Sequence, residues 1–161
     1  MVNVFIGKCA DINSIREQLV QLTRNLVPIL IYGESGSRKT LLARVFHDYY
    51  KKNANLPKAA PAYVLDNGDA SCASKFAQRL YGKLRYTAHA PPSLEGGGIE
   101  AAVGGSMILE NVDEYDDSAL EMIQCILPKE RQTPQYGIKV LATTKDIDSL
   151  PEQSKKTAHH W

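Results

Sequence analysis

Val27-Pro28-Ile29-Leu30-Ile31-Tyr32-Gly33-Glu34-Ser35-Gly36-Ser37-Arg38-Lys39-Thr40 runs from a continuous apolar stretch, through two glycines, to a lysine and a hydroxyl residue. The apolar part reads as a buried strand with its proline at the first positions. Beyond the turn, Leu42, Val45, Phe46 and Tyr49 recur at helical spacing. Strand, glycine-containing loop and helix, in this order, are the context that a phosphate-binding loop requires. Its chemistry takes bare backbone N–H groups around a β-phosphate, a lysine reaching the β- and γ-phosphates, and a hydroxyl on Mg²⁺ at the helix N-terminus. Gly33, Gly36, Lys39 and Thr40 fit these roles, and Glu34, Ser35, Ser37 and Arg38 complete the loop. Arg38 stands where the strict pattern has glycine, so its side chain either forces another loop conformation or lies in the nucleotide's place. The alternative for the whole segment is a strand-to-helix turn that holds no ligand.

Working outward, Asp11 is placed to cap a helix whose face carries Ile12, Ile15, Leu19, Leu22 and Leu26. After a polar loop at 51–60, a short strand is expected at 62–65 and a helix at 72–81, closed by Gly82. The stretch 86–98, with Pro91-Pro92 and Gly96-Gly97-Gly98, reads as an irregular, mobile loop. A strand at 106–109, a helix at 118–127 stopped by Pro128, and a strand at 138–143 complete the pattern. Strands alternating with helices predict an α/β domain of three layers, with a mainly parallel sheet covered on both faces.

The length of 161 residues suits one domain, here 1–150, followed by a polar tail at 151–161. No stretch approaches the roughly 20 apolar residues that span a bilayer, and no basic leader precedes an apolar run, so a cytoplasmic protein without membrane partners is expected. A net charge of +1 gives no footprint for nucleic acid, and direct DNA contact by this chain is not expected. Cys9, Cys72 and Cys125 lack metal-ligand spacing and read as buried, reduced thiols.

Several ordered motifs resemble the central AAA+ domain of bacterial sigma-54-dependent transcription activators. Leu30 to Gly36 resembles that family's strand and GESG loop, and Ala43-Arg44-Val45-Phe46-His47 its ARAIH helix. Leu80-Tyr81-Gly82 is similar to LFG, and 98–109 follows the GxFExAxGGTLFL stretch leading into the second nucleotide motif. Val140-Leu141-Ala142-Thr143-Thr144 resembles the strand carrying the sensor residue. The resemblance implies a P-loop NTPase core with strand order 5-1-4-3-2, and ATP or ADP with Mg as cofactor. Here neither the helical lid nor the fifth strand has a counterpart, which would leave the P-loop strand on an edge.

At the positions of the family's chemistry the chain departs from the pattern. Glu110-Asn111 stands where the family has Asp-Glu; Glu110, with Thr40, is the candidate Mg ligand, and Asn111 cannot act as a base toward water. The other reading makes Glu110, Asp113, Glu114, Asp116 and Asp117 a solvated acidic loop. The GAFTGA loop that touches the sigma factor falls at 84–89, where only Tyr86-Thr87 match and both glycines are gone, so sigma contact is not expected. His89 reads as an exposed loop histidine rather than a catalytic group. The sensor asparagine expected after Thr143-Thr144 is missing or replaced by Lys145. The expected function is a degenerate AAA+ domain in transcriptional regulation, at most binding nucleotide, and partnered by itself or by another regulator subunit. An ATPase completed by a partner, and a nucleotide-free scaffold, are the alternatives.

Overall fold

A computed structural model of the chain describes residues 22, 27–53, 61–65, 72–87, 90–127, 137–146 and 148. Its elements are β1 (Ile29–Tyr32), α1 (Lys39–Asn53), β2 (Ala62–Leu65), α2 (Ala73–Tyr81), β3 (Gly82–Thr87), β4 (Ala90–Gly96), α3 (Gly98–Ala102), β5 (Ser106–Leu109), a 3₁₀ turn (Val112–Glu114), α4 (Asp117–Ile126) and β6 (Lys139–Thr144). Four strands form a parallel sheet in the order β1-β6-β5-β2. The α/β architecture and parallel sheet are those expected, and among the described residues the P-loop strand does lie on an edge. The capped helix expected over 11–26 lies outside the described residues apart from Leu22, and so does the tail 151–161.

Alternation along the strands sends neighbouring side chains to opposite faces, which is why these strands read as unbroken apolar runs. Ile108 and Leu141 join Ile29 under α1, where Ala43, Phe46 and Tyr50 cover them. Met107, Leu109 and Val140 face the other way, against Phe76, Leu80, Ala119 and Ile123 of α2 and α4. All four residues of β5 are buried, so the centre of the sheet is dry on both sides. Asp116 starts α4 by accepting a hydrogen bond from Ala119 N–H at 2.7 Å. That is the N-cap chemistry that satisfies an otherwise orphaned helix donor.

Two expectations need correction. The stretch 86–98 is not an irregular loop: most of it belongs to an antiparallel hairpin pairing Gly82 with Gly96, Lys83 with Glu95 and Leu84 with Leu94, followed by α3. Proline and glycine hid it, yet a two-stranded ribbon has free edges that tolerate proline. Its glycines serve close approach rather than mobility. A Cβ on Gly97 would collide with Gly82 N, and one on Gly98 would lie 2.5 Å from the Tyr63 ring. The second correction concerns the thiols, for Cys125 is exposed and Cys72 half-buried at the start of α2; Cys9 lies outside the described residues.

Lys139 is a charge the pattern did not anticipate. Fully buried at the start of β6, it donates from Nζ to Val27 O at 2.6 Å and to Leu22 O at 3.0 Å, with the Phe46 ring 5.3 Å away. Burial pulls its pKa down from 10.5 to about 8. The unfolded chain therefore binds more protons than the folded one between these values, and stability rises with pH across that window. Denaturant midpoints measured from pH 7 to 10.5 should climb for the native chain once pH passes about 8, and the climb should be flatter in Lys139→Met.

Candidate nucleotide site

The loop 33–38 leaves the C-terminal end of β1 as an extension of the sheet. Tyr32 pairs with Thr144 in register, and Gly33 N–H then donates to Thr144 O at 3.3 Å. Ser37 N–H closes a turn onto Glu34 O at 3.2 Å, and Gly36 takes φ +81. At Gly33 a Cβ would come within 2.9 Å of Ser37 Oγ, a contact that rotation of the serine side chain relieves. Lys39 Nζ donates to Gly33 O and Glu34 O, each at 2.8 Å, so the ammonium sits inside the curl of its own loop. Thr40 follows, half-buried, in the first turn of α1. All eight loop residues from Gly33 to Thr40 thus form one strand–loop–helix unit, as expected.

Arg38 holds its place in the loop with a glycine-like backbone. It takes φ 60, the left-handed conformation that glycine would supply, while Leu42 N–H donates to its carbonyl at 3.1 Å. Its side chain is exposed. The position costs an L-residue roughly 1–2 kcal/mol of backbone strain. Gly36 has nothing within 4 Å of its missing Cβ, and the loop keeps the mix of glycine, backbone N–H and cation that suits phosphate oxygens.

Across β6 lies the acidic turn. Glu110 N–H donates to Leu65 O at 2.8 Å, and Asn111 takes φ 52 and ψ 56 while its N–H donates to Thr143 Oγ1 at 3.0 Å. Asp113 is no solvated acid: its side chain is 3% exposed, Thr144 Oγ1 donates to Oδ1 at 3.0 Å, and Lys145 N–H donates to the same oxygen at 3.2 Å. Lys145 Nζ donates to Glu114 Oε1 at 2.5 Å and lies 3.8 Å from Asp113 Oδ2. The Glu114 hydrogen bond and charge hold the Lys145 pKa above its ordinary value. The sequence reading of a solvated acidic loop is therefore wrong for Asp113 and for Asp116, which caps α4. A Thr-Thr-Lys run closing β6, opposite an acid shortly after β5, was the available signal for this network.

Thr40, after β1, and Glu110, after β5, stand at the same end of the sheet on either side of β6. Among the described residues no three His, Cys, Asp or Glu side chains cluster as a metal cage. An Mg²⁺ ion suits such a sparse set, because it keeps several waters and takes phosphate oxygens. His89 lies outside the described residues.

The fold and this loop define a P-loop α/β domain. Residues 5–149 match the model of the Sigma-54 interaction domain, and the chain belongs to that family. The Nif-specific regulatory protein of Rhodobacter capsulatus is 27% identical over 151 residues, which is 89% of this chain and 25% of that protein. The DNA-binding transcriptional regulator NtrC of Rhizobium meliloti is 27% identical over 88% of this chain and 30% of its own length. This chain therefore spans about a quarter to a third of these relatives. NtrX from Brucella abortus, solved in complex with ATP, aligns with a TM-score of 0.68 at 18% identity over 96% of this chain and 36% of its own. The P-loop NTPase domain of a sigma-54 activator from E. coli aligns at 0.52 and 19% identity, over 88% of this chain and 79% of that one.

Relief of the left-handed strain makes a simple expectation. Arg38→Gly should raise the urea midpoint by the equivalent of about 1 kcal/mol, since part of the strain relief is offset by the entropy glycine loses on folding. An unchanged or lower midpoint would mean that the guanidinium makes stabilising contacts. Asp116→Ala, by contrast, should cost about 1 kcal/mol through loss of the α4 cap.

Proposed function

We propose that this chain is the nucleotide-binding module of a bacterial transcriptional regulator, holding ATP or ADP with Mg²⁺ in the 33–40 loop without hydrolysing it efficiently. The curated relatives are transcriptional regulators, and one fold neighbour was solved with ATP; both support the reading. Two features support the reading, the Lys39 ammonium held within the 33–40 loop and the amide at Asn111. Lys39 is centred in the loop by two carbonyls, whereas Asn111 offers an amide where a base toward water is required. Asp113, the buried carboxylate nearby, is already bonded to Thr144 and to the Lys145 backbone.

In this reading the loop N–H groups and Lys39 bind the phosphates, and Thr40 and Glu110 hold Mg²⁺ together with water. The metal would supply charge neutralisation between phosphate oxygens. Glu34, Ser35, Ser37 and Arg38 shape the cradle, with the Arg38 guanidinium free to approach from the exposed side. The module acts by what it binds rather than by turnover. Its hairpin presents Leu84 and Tyr86 at 56% and 74% exposure, but lacks the glycines of the family's sigma-contacting loop; a sigma contact through it is not proposed.

The same reading includes association through β1. Among the described residues no strand pairs with its outer edge, and Ile29-Leu30-Ile31 carries no charge or proline to protect it. A second copy, or another regulator subunit, is the proposed partner. Light scattering over a wide concentration range should show mass rising with concentration, accompanied by slowing of amide exchange along 29–32. A constant monomer mass would remove this part of the proposal.

Calorimetric titration with Mg·ATP, paired with a phosphate-release assay, tests the main reading. Saturable binding that is lost in Lys39→Ala, with no phosphate release above background, is the expected result. A general base typically contributes about 10²–10⁴-fold, so its loss is easy to see. Lys39-dependent turnover would favour an ATPase completed by a partner, and no binding at all would favour a scaffold.

A further inference from the structure

Glu110 carries a carboxylate that the fold leaves unspent. Its neighbours are all engaged: Asp113 accepts from Thr144 Oγ1 and Lys145 N–H, Glu114 accepts from Lys145 Nζ, and Asp116 caps α4. The half-buried Glu110 side chain makes no hydrogen bond or ion pair among the described residues. Its backbone, by contrast, is held from both neighbouring strands. Glu110 N–H donates to Leu65 O at the end of β2 at 2.8 Å, and the next N–H, that of Asn111, donates to Thr143 Oγ1 of β6 at 3.0 Å.

Pairing of β5 with β6 ends at Leu109 and Ala142, and Asn111 then turns out of the sheet with φ 52. The Asn111 N–H goes to a side-chain hydroxyl in place of a ladder carbonyl, so Thr143, only 1% exposed, sets the direction in which the chain leaves β5. A second tie closes the far side of the turn, where Asp113 Oδ1 meets Thr144 Oγ1 at 3.0 Å and Lys145 N–H at 3.2 Å. The segment 110–113 is thus pinned near both its ends to the end of β6. A carboxylate that takes a metal depends on such bonds behind it, because they fix the direction from which its oxygens arrive.

We propose that Thr143, backed by Asp113, is the positioning residue that aims the Glu110 carboxylate at the Mg²⁺ of a bound nucleotide. Resting on the nucleotide reading of the 33–40 loop, this gives β6 a share in metal binding. Thr143 and Asp113 keep their present partners throughout and never touch the ion; they act through the backbone of the turn.

Calorimetric titration of the full chain with ATP, once with Mg²⁺ and once with EDTA, separates the metal-dependent part of the affinity from the rest. The native chain should bind more tightly with Mg²⁺. Thr143→Val keeps the branched shape and removes the hydroxyl; it should cut the gain from Mg²⁺ by about 10-fold or more, the usual effect of losing a bond behind a metal ligand, and leave the affinity in EDTA unchanged. Thr143→Ser, which retains the hydroxyl, should keep the gain, and Glu110→Gln should abolish it. Asp113→Ala, in the turn rather than inside the sheet, gives a second, independent reading and should act in the same direction as Thr143→Val. A full gain from Mg²⁺ in Thr143→Val and Asp113→Ala, or an equal loss of affinity with and without the metal, would overturn the proposal and leave the loop reading standing. The same holds for a Glu110→Gln chain that keeps the gain, and for a native chain that binds ATP equally well in EDTA. A native chain that binds ATP in neither condition would remove the loop reading and this proposal together.

Discussion

Everything at the candidate nucleotide site depends on β6 running parallel between β1 and β5. Register fixes Tyr32 beside Thr144 and Leu109 beside Ala142, so the three strands end within two residues of one level. From that level the loop of Gly33, the turn of Glu110 and Asn111, and Thr143-Thr144-Lys145 all emerge. Ligands of open parallel sheets bind at this edge, beyond the carboxyl ends of the strands. A slip of one residue would turn Leu141 away from α1 and carry the Gly33–Thr144 hydrogen bond with it. Burial of both faces resists that slip, so the hydrophobic core holds the site in place.

The two halves of the site have different characters. On the loop side, Gly36 and Arg38 hold left-handed backbone and the Lys39 ammonium turns inward to the Gly33 and Glu34 carbonyls. Strain retained at Arg38 without glycine's ease is the pattern found where surrounding structure over-determines a conformation. On the acidic side, carboxylate capacity has gone into structure. Asp113 fastens the 3₁₀ turn to the end of β6, and Glu114 holds Lys145. Asn111 accepts the left-handed backbone readily, as asparagine does, but brings no base.

Much of the fold was legible because periodicity reports burial. Strands at 62–65 and 106–109 and the helix at 72–81 follow from apolar spacing and from Gly82. The hairpin was hidden because Pro91, Pro92 and the triple glycine normally announce loops, and only tertiary packing shows that Gly97 and Gly98 are required by contact. The site was half legible: Gly33 to Thr40 is local in sequence, whereas Asp113, Thr144 and Lys145 meet across 31 or 32 residues and leave no local pattern. Buried Lys139 was missed for the same reason, since its partners at Leu22 and Val27 lie more than a hundred residues away.

In the proposed function nucleotide enters the 33–40 loop and Lys39, now held by the Gly33 and Glu34 carbonyls, turns to the phosphates. Hydrogen–deuterium exchange of this chain, with and without Mg·ATP, measures that most directly. Slowed exchange at loop amides 34–40, absent in Lys39→Ala, is expected when phosphate sits in the loop. Loop exchange that ATP leaves unchanged, at concentrations that saturate ordinary P-loop proteins, would contradict it.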